Sequence, residues 1–122
     1  MQDRPAHQNL SWRRIRAGRR IGSALPPLPG VYAYAAITEQ HGLPVALEWV
    51  YIGQARRLSE RVRHHDPVRE NNPGLSRWLS SHVGTSQLWY ATVDVPQLDA
   101  VERELIRTIR PKFNRRLYGG VR

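Results

Sequence analysis

An α+β fold is predicted, a small three-stranded antiparallel sheet with flanking helices, on three observations. Runs rich in Val, Ile, Tyr and Trp alternate with helix-period stretches in the order β-β-α-α-β-α. A chain of 122 residues with 40% hydrophobic content holds one core and hardly two. No internal repeat is visible.

The elements follow in order. Residues 1–22 carry Arg4, Arg13, Arg14, Arg16, Arg19 and Arg20 against Asp3, a net +5, and read as a basic N-terminal arm or short helix. Ser11 is placed to cap such a helix, with Trp12 and Ile15 on one side. The domain, residues 23–122, is entered through Pro26-Pro27-Leu28-Pro29, which cannot continue a helix. Gly30 to Ile37 and Glu48 to Gly53 read as an antiparallel strand pair, joined by a long connection because Thr38 to Pro44 contains both Gly and Pro. Helices are expected over 55–65 and 73–82, a strand over 87–93, and a last helix over 98–110 that Pro111 stops.

Charge bounds the partners. Nineteen Lys+Arg face ten Asp+Glu, a net charge of +9, so a polyanion is the expected partner. Lys112 is the single lysine, and guanidinium grips phosphate through two parallel hydrogen bonds. Arg13, Arg14, Arg16, Arg57, Lys112, Arg115 and Arg116 are the candidate backbone contacts. The absence of cysteine excludes disulfides and thiolate metal sites. Residues 1–22 hold no apolar stretch fit for a signal peptide or membrane span, so a cytoplasmic protein is expected, and a monomer is the default.

Leu98, Val101, Leu105, Ile106 and Ile109 fall on one stripe of the last helix, and Glu102 falls inside it. A carboxylate facing an apolar stripe must pair with a cation, ligate a metal or sit at the mouth of a cleft, since burying it alone costs several kcal/mol. In the preceding helix Arg61 and His65 border the buried side marked by Leu58 and Val62, which makes Arg61 a candidate partner for Glu102 or for a phosphate. His64 and His65 point in different directions, and no third His or Cys stands at ligand spacing, so a histidine zinc site is not expected. Trp12, Trp78 and Trp89 are able to stack on splayed bases, although an aromatic in a strand or helix is more often core.

Five pieces in order resemble the GIY-YIG nuclease domain family: Gly30-Val31-Tyr32, Tyr51-Ile52-Gly53, Arg61, Glu102 in Glu102-x-x-Leu105-Ile106, and Asn114 in Pro111-Lys112-Phe113-Asn114. The resemblance spans about residues 28 to 116. It implies a hydrolase of nucleic acid phosphodiesters dependent on Mg²⁺ or Mn²⁺. Glu102 would be the metal ligand, Arg61 would hold the scissile phosphate, Tyr32 would act as base or position the attacking water with Tyr51 as its hydrogen-bonding partner, His65 would stand in reserve as proton acceptor, and Asn114 would brace the site. Val31 replaces the usual isoleucine, and the segment between the tyrosine strands is longer than usual.

The function expected is therefore a divalent-metal-dependent endonuclease of DNA, with RNA left open, structure-selective or weakly specific because no separate reader domain is evident. The alternative is a non-cleaving nucleic-acid-binding module, or a nuclease subunit that requires a partner.

Overall fold

A computed structural model describes residues 10–16, 25–63, 74–75, 77–78 and 86–114, without the side chains of 16 and 61–63. Among the described residues the strands are β1 (Arg13–Arg16), β2 (Gly30–Gln40), β3 (Leu43–Ala55) and β4 (Ser86–Thr92). The helices are α1 (Leu58–Arg63) and α2 (Val95–Ile109), and residues 74–75 and 77–78 are also helical. The strands form one antiparallel sheet in the order β1-β4-β2-β3. The α+β class stands, with a fourth strand added.

That strand replaces the helix expected after Ser11. Arg13-Arg14-Ile15-Arg16 has one aliphatic residue and no strand signature of its own, yet it pairs with β4, Arg13 opposite Tyr90 and Arg16 opposite Gln87. The strand period sends Trp12 and Ile15 to opposite faces, where the helical reading had them together. Trp12 packs with Val31 and Leu98, and Ile15 packs with the cluster around Tyr34 and Leu88.

The long connection expected between the tyrosine strands is instead a two-residue turn. His41 (φ 52°) and Gly42 (φ 86°) both lie in the left-handed region, and Gln40 pairs with Leu43, as in a type I′ hairpin turn. Pro44 is tolerated because β3 lies at a sheet edge and a register shift falls beside it, between Thr38 and Glu39.

Strand β2 alternates between two layers. Val31 and Ala33 face α2, meeting Leu98, Val101 and Ile106. Tyr32 and Tyr34 face the other way, into the core with Leu58, Leu75, Trp78, Leu88 and Tyr90. Gly30 permits this packing: a Cβ there would press on the Ala91 carbonyl and lie 2.7 Å from Leu58 Cδ1. The start of α1 is anchored by Leu58 N–H donating to the Leu28 carbonyl (2.9 Å) and Ser59 N–H to the Pro26 carbonyl (3.2 Å), which satisfies amides that a helix start leaves free.

Candidate active site

The site is organised along residues 49–55 of β3. A second register shift between Tyr34 and Ala35 leaves Val50 unpaired, with Tyr34 opposite Tyr51 and Ala35 opposite Trp49. Regular alternation from Trp49 would turn Tyr51 toward α2; the bulge turns it toward Tyr32 instead. Their ring centroids are 6.2 Å apart at 36°. Tyr32 has no exposed surface, whereas Tyr51 is half-buried.

Gly53 is a close-approach glycine. A Cβ there would lie 2.5 Å from Tyr32 Oη and 2.6 Å from its Cζ. The tyrosine of one strand thus covers the glycine of the other, a direct link between the two motif segments.

Glu102 approaches the next residue from the opposite layer. Helix α2 is entered through Asp94 in extended conformation, with Pro96 in its first turn, and ends at Arg110 in the left-handed region (φ 53°). It buries Leu98, Val101 and Ile106, which holds Glu102 half-buried at the sheet. There Gln54 Nε2 donates to Glu102 Oε1 at 2.8 Å and to Asp99 Oδ1 at 3.3 Å. Asp99 also pairs with Arg103 at 3.1 Å on the exposed side. Tyr32 and Glu102 therefore address successive residues of β3, Gly53 and Gln54, from the two sides of the sheet.

Beyond α2 the chain returns along the outer edge of β3. Phe113 N–H donates to the Val50 carbonyl at 2.8 Å, Asn114 Oδ1 accepts the Ile52 N–H at 2.9 Å, and Asn114 Nδ2 donates to the Ile52 carbonyl at 2.8 Å. The side-chain amide acts as a one-residue strand partner on an edge that would otherwise be open.

One half-buried carboxylate fixed by an amide, with a second one helical turn before it, offers hard oxygen donors only, which suits Mg²⁺ or Mn²⁺ retaining most of its waters. Among the described residues no three His, Cys, Asp or Glu side chains cluster as a metal cage.

The remaining expected residues are distributed as follows. Arg61 lies in α1, but its side chain is outside the described residues, as are His65, Arg115, Arg116 and the side chain of Arg16. Arg57 is exposed and pairs with Glu60 at 3.1 Å. Lys112 lies over the Phe113 ring at 5.5 Å. Arg13 and Arg14 are exposed on β1, the edge opposite β3, about 14 Å away at three strand spacings. Sequence reasoning missed Gln54 and Asp99. A polar residue amid buried Ile52, Gly53 and Ala55 was the available signal for the first, and an acid three positions before Glu102 for the second.

No family model matches the chain. UvrABC system protein C of Chlorobaculum tepidum is 28% identical over 92 residues, 75% of this chain. The same protein of Pelodictyon phaeoclathratiforme is 26% identical over 90 residues, 74% of this chain. The match spans only 13% of the length of either relative. Among solved structures, the GIY-YIG N-terminal endonuclease domain of UvrC from Thermotoga maritima with its catalytic magnesium has a TM-score of 0.51 at 27% identity, covering 79% of this chain and 93% of that one. A point mutant of that domain, also bound to the catalytic divalent cation, has a TM-score of 0.53 at 28% identity, covering 80% and 94%. The chain has the fold of the GIY-YIG endonuclease domain. In GIY-YIG terms, the tyrosine-glycine contact, the helix carboxylate and the edge-binding asparagine all converge on β3. Among the described residues no helix is long and apolar enough to cross a membrane.

Proposed function

We propose that this chain is a divalent-metal-dependent endonuclease that hydrolyses phosphodiester bonds of DNA, with structure-selective or weak sequence preference. The observation that carries the reading is the convergence of Tyr32 and Glu102 on adjacent residues of β3, with Asn114 fixing that strand from its outer side. The net charge of +9 supports a polyanionic substrate.

In this reading Glu102 holds Mg²⁺ or Mn²⁺, oriented by the Gln54 amide. When bound, the cation stabilises negative charge developing on the phosphate and leaving oxygen. Arg61 grips the scissile phosphate, as a guanidinium clamp does. A phenol of ordinary pKa, about 10, is ionised in roughly one molecule in a thousand at pH 7. Tyr51, the phenol that reaches solvent, therefore orients the attacking water through its hydroxyl, and enclosed Tyr32 fixes Tyr51 and Gly53 in place. His65 accepts the proton. Asn114 keeps the strand that bears Tyr51 and Gln54 in register.

Plasmid incubated with the full chain and Mg²⁺ or Mn²⁺ tests the proposal. Cleavage that disappears in Glu102→Ala while DNA binding persists supports it. Plasmid left intact under every condition, with binding retained, identifies a non-cleaving binder instead.

A further inference from the structure

Three of the four tryptophans are not core residues. Trp78 is buried, but Trp12, Trp49 and Trp89 are half-buried, and all three line one cavity of about 230 Å³ with Ile52, Leu105 and Ile109. Trp49 and Trp89 meet at 71° with centroids 5.9 Å apart, forming two walls of a corner. Arg14, the cross-strand neighbour of Trp89, holds its guanidinium 5.4 Å from the centre of that ring. Trp89 Nε1 is buried without a hydrogen-bond acceptor among the described residues, and so is Gln87 Oε1 without a donor, two residues earlier on the same face of β4. A buried indole N–H normally finds a partner.

We infer that this cavity receives one unstacked nucleobase of the bound strand, an inference that rests on the chain acting on nucleic acid. The fit is chemical as well as spatial. An engineered apolar cavity of about 150 Å³ takes benzene, so about 230 Å³ suits a single base ring system. Indole walls accept any base by stacking. Arg14 supplies positive charge at the rim for the adjoining phosphate.

Position favours this occupant over another aromatic ligand. The cavity opens on the α2 side of the sheet, where Glu102 also lies, and Leu105 and Ile109 follow Glu102 by three and seven residues. At a rise of 1.5 Å per residue those are about 5 and 10 Å along the helix. A strand whose phosphate sits at Glu102 is thus within one or two nucleotides of the cavity. Base extrusion costs least where the strand is already unpaired, so this site would bias the enzyme toward splayed or single-stranded junctions.

The test uses the full chain carrying Glu102→Ala, so that binding is read without cleavage, and a forked DNA whose unpaired arm contains 2-aminopurine or an abasic residue at one position at a time. At one position, wild-type pockets should alter 2-aminopurine fluorescence, and loss of the base should weaken binding about ten-fold. In Trp49→Ala that abasic penalty should vanish. In Trp89→Phe, which keeps an aromatic wall of smaller stacking area, it should persist but shrink, and this milder variant guards against misfolding of the first. An abasic penalty that is absent at every position, or equal in wild type and both variants, overturns the inference. Cleavage by the unmutated chain on the same forks separates the two readings: cutting without any base dependence sinks the pocket alone, and base-dependent binding without cutting sinks the nuclease alone.

Discussion

Asn114 grips Ile52 at both backbone groups, accepting its N–H at 2.9 Å and donating to its carbonyl at 2.8 Å. The residue that follows the last helix is thereby stitched to the strand between Tyr51 and Gly53, sixty-two positions earlier. Truncating it leaves two part-buried backbone groups without these partners, at about 1–3 kcal/mol. Asn114→Ala should lower the melting temperature by several degrees, and Asn114→Asp should fall between, since it keeps the acceptor for the Ile52 N–H but faces the Ile52 carbonyl with a second acceptor. Calorimetry of the three proteins reads the order directly.

Gly53 and Tyr32 cannot both be enlarged. The methyl group of Gly53→Ala would sit 2.5 Å from Tyr32 Oη, and overpacking of this kind costs about 1–3 kcal/mol. Tyr32→Phe should not rescue it, because Tyr32 Cζ would still lie 2.6 Å away. Denaturant midpoints of the single and double variants check this; full recovery in the double variant would contradict the geometry.

Gln54 orients Glu102, so replacing it by an isosteric apolar residue removes the orienting bond and leaves the carboxylate. Gln54→Leu should raise the Mg²⁺ concentration for half-maximal cleavage by about 10–100-fold, the usual effect of losing a partner of a metal ligand. A magnesium titration of cleavage rate measures it, and saturating metal should restore most of the rate.

Arg14 lies on the edge strand far from Glu102, so its contribution is to grip rather than to chemistry. Arg14→Ala should weaken binding and reduce the slope of log K against log salt by about one. Binding isotherms at several salt concentrations give the slope.

The hairpin tip should behave as a local element. His41 occupies the left-handed region at φ 52°, where asparagine is better suited. His41→Asn should raise the melting temperature slightly, and Gly42→Ala, at φ 86°, should lower it. Leu43→Ser should be nearly neutral, within about 0.5 kcal/mol, because Leu43 is 65% exposed.

Much of the arrangement was legible residue by residue. The apolar stripe of the last helix exposed Glu102 as an intruder, and the structure holds it half-buried at Gln54. The strand character of 30–37 and 48–53 was carried by β-branched and aromatic residues, and both strands stand. Their extension to a two-residue turn was hidden because Gly42 and Pro44 resemble loop residues locally. Strand β1 was hidden for a deeper reason: nothing in Arg13-Arg14-Ile15-Arg16 favours a strand until the edge of β4 offers hydrogen bonds.

By itself the amino-acid order determined the class of fold, the cationic character and the set of motif residues, because periodicity and composition are local properties. Only the tertiary structure decided that Val50 bulges, that Tyr51 consequently joins Tyr32, and that the Gln54 amide donates to Glu102. Those outcomes depend on register between strands and on which helix covers which side, and both are fixed by packing between segments far apart in the chain.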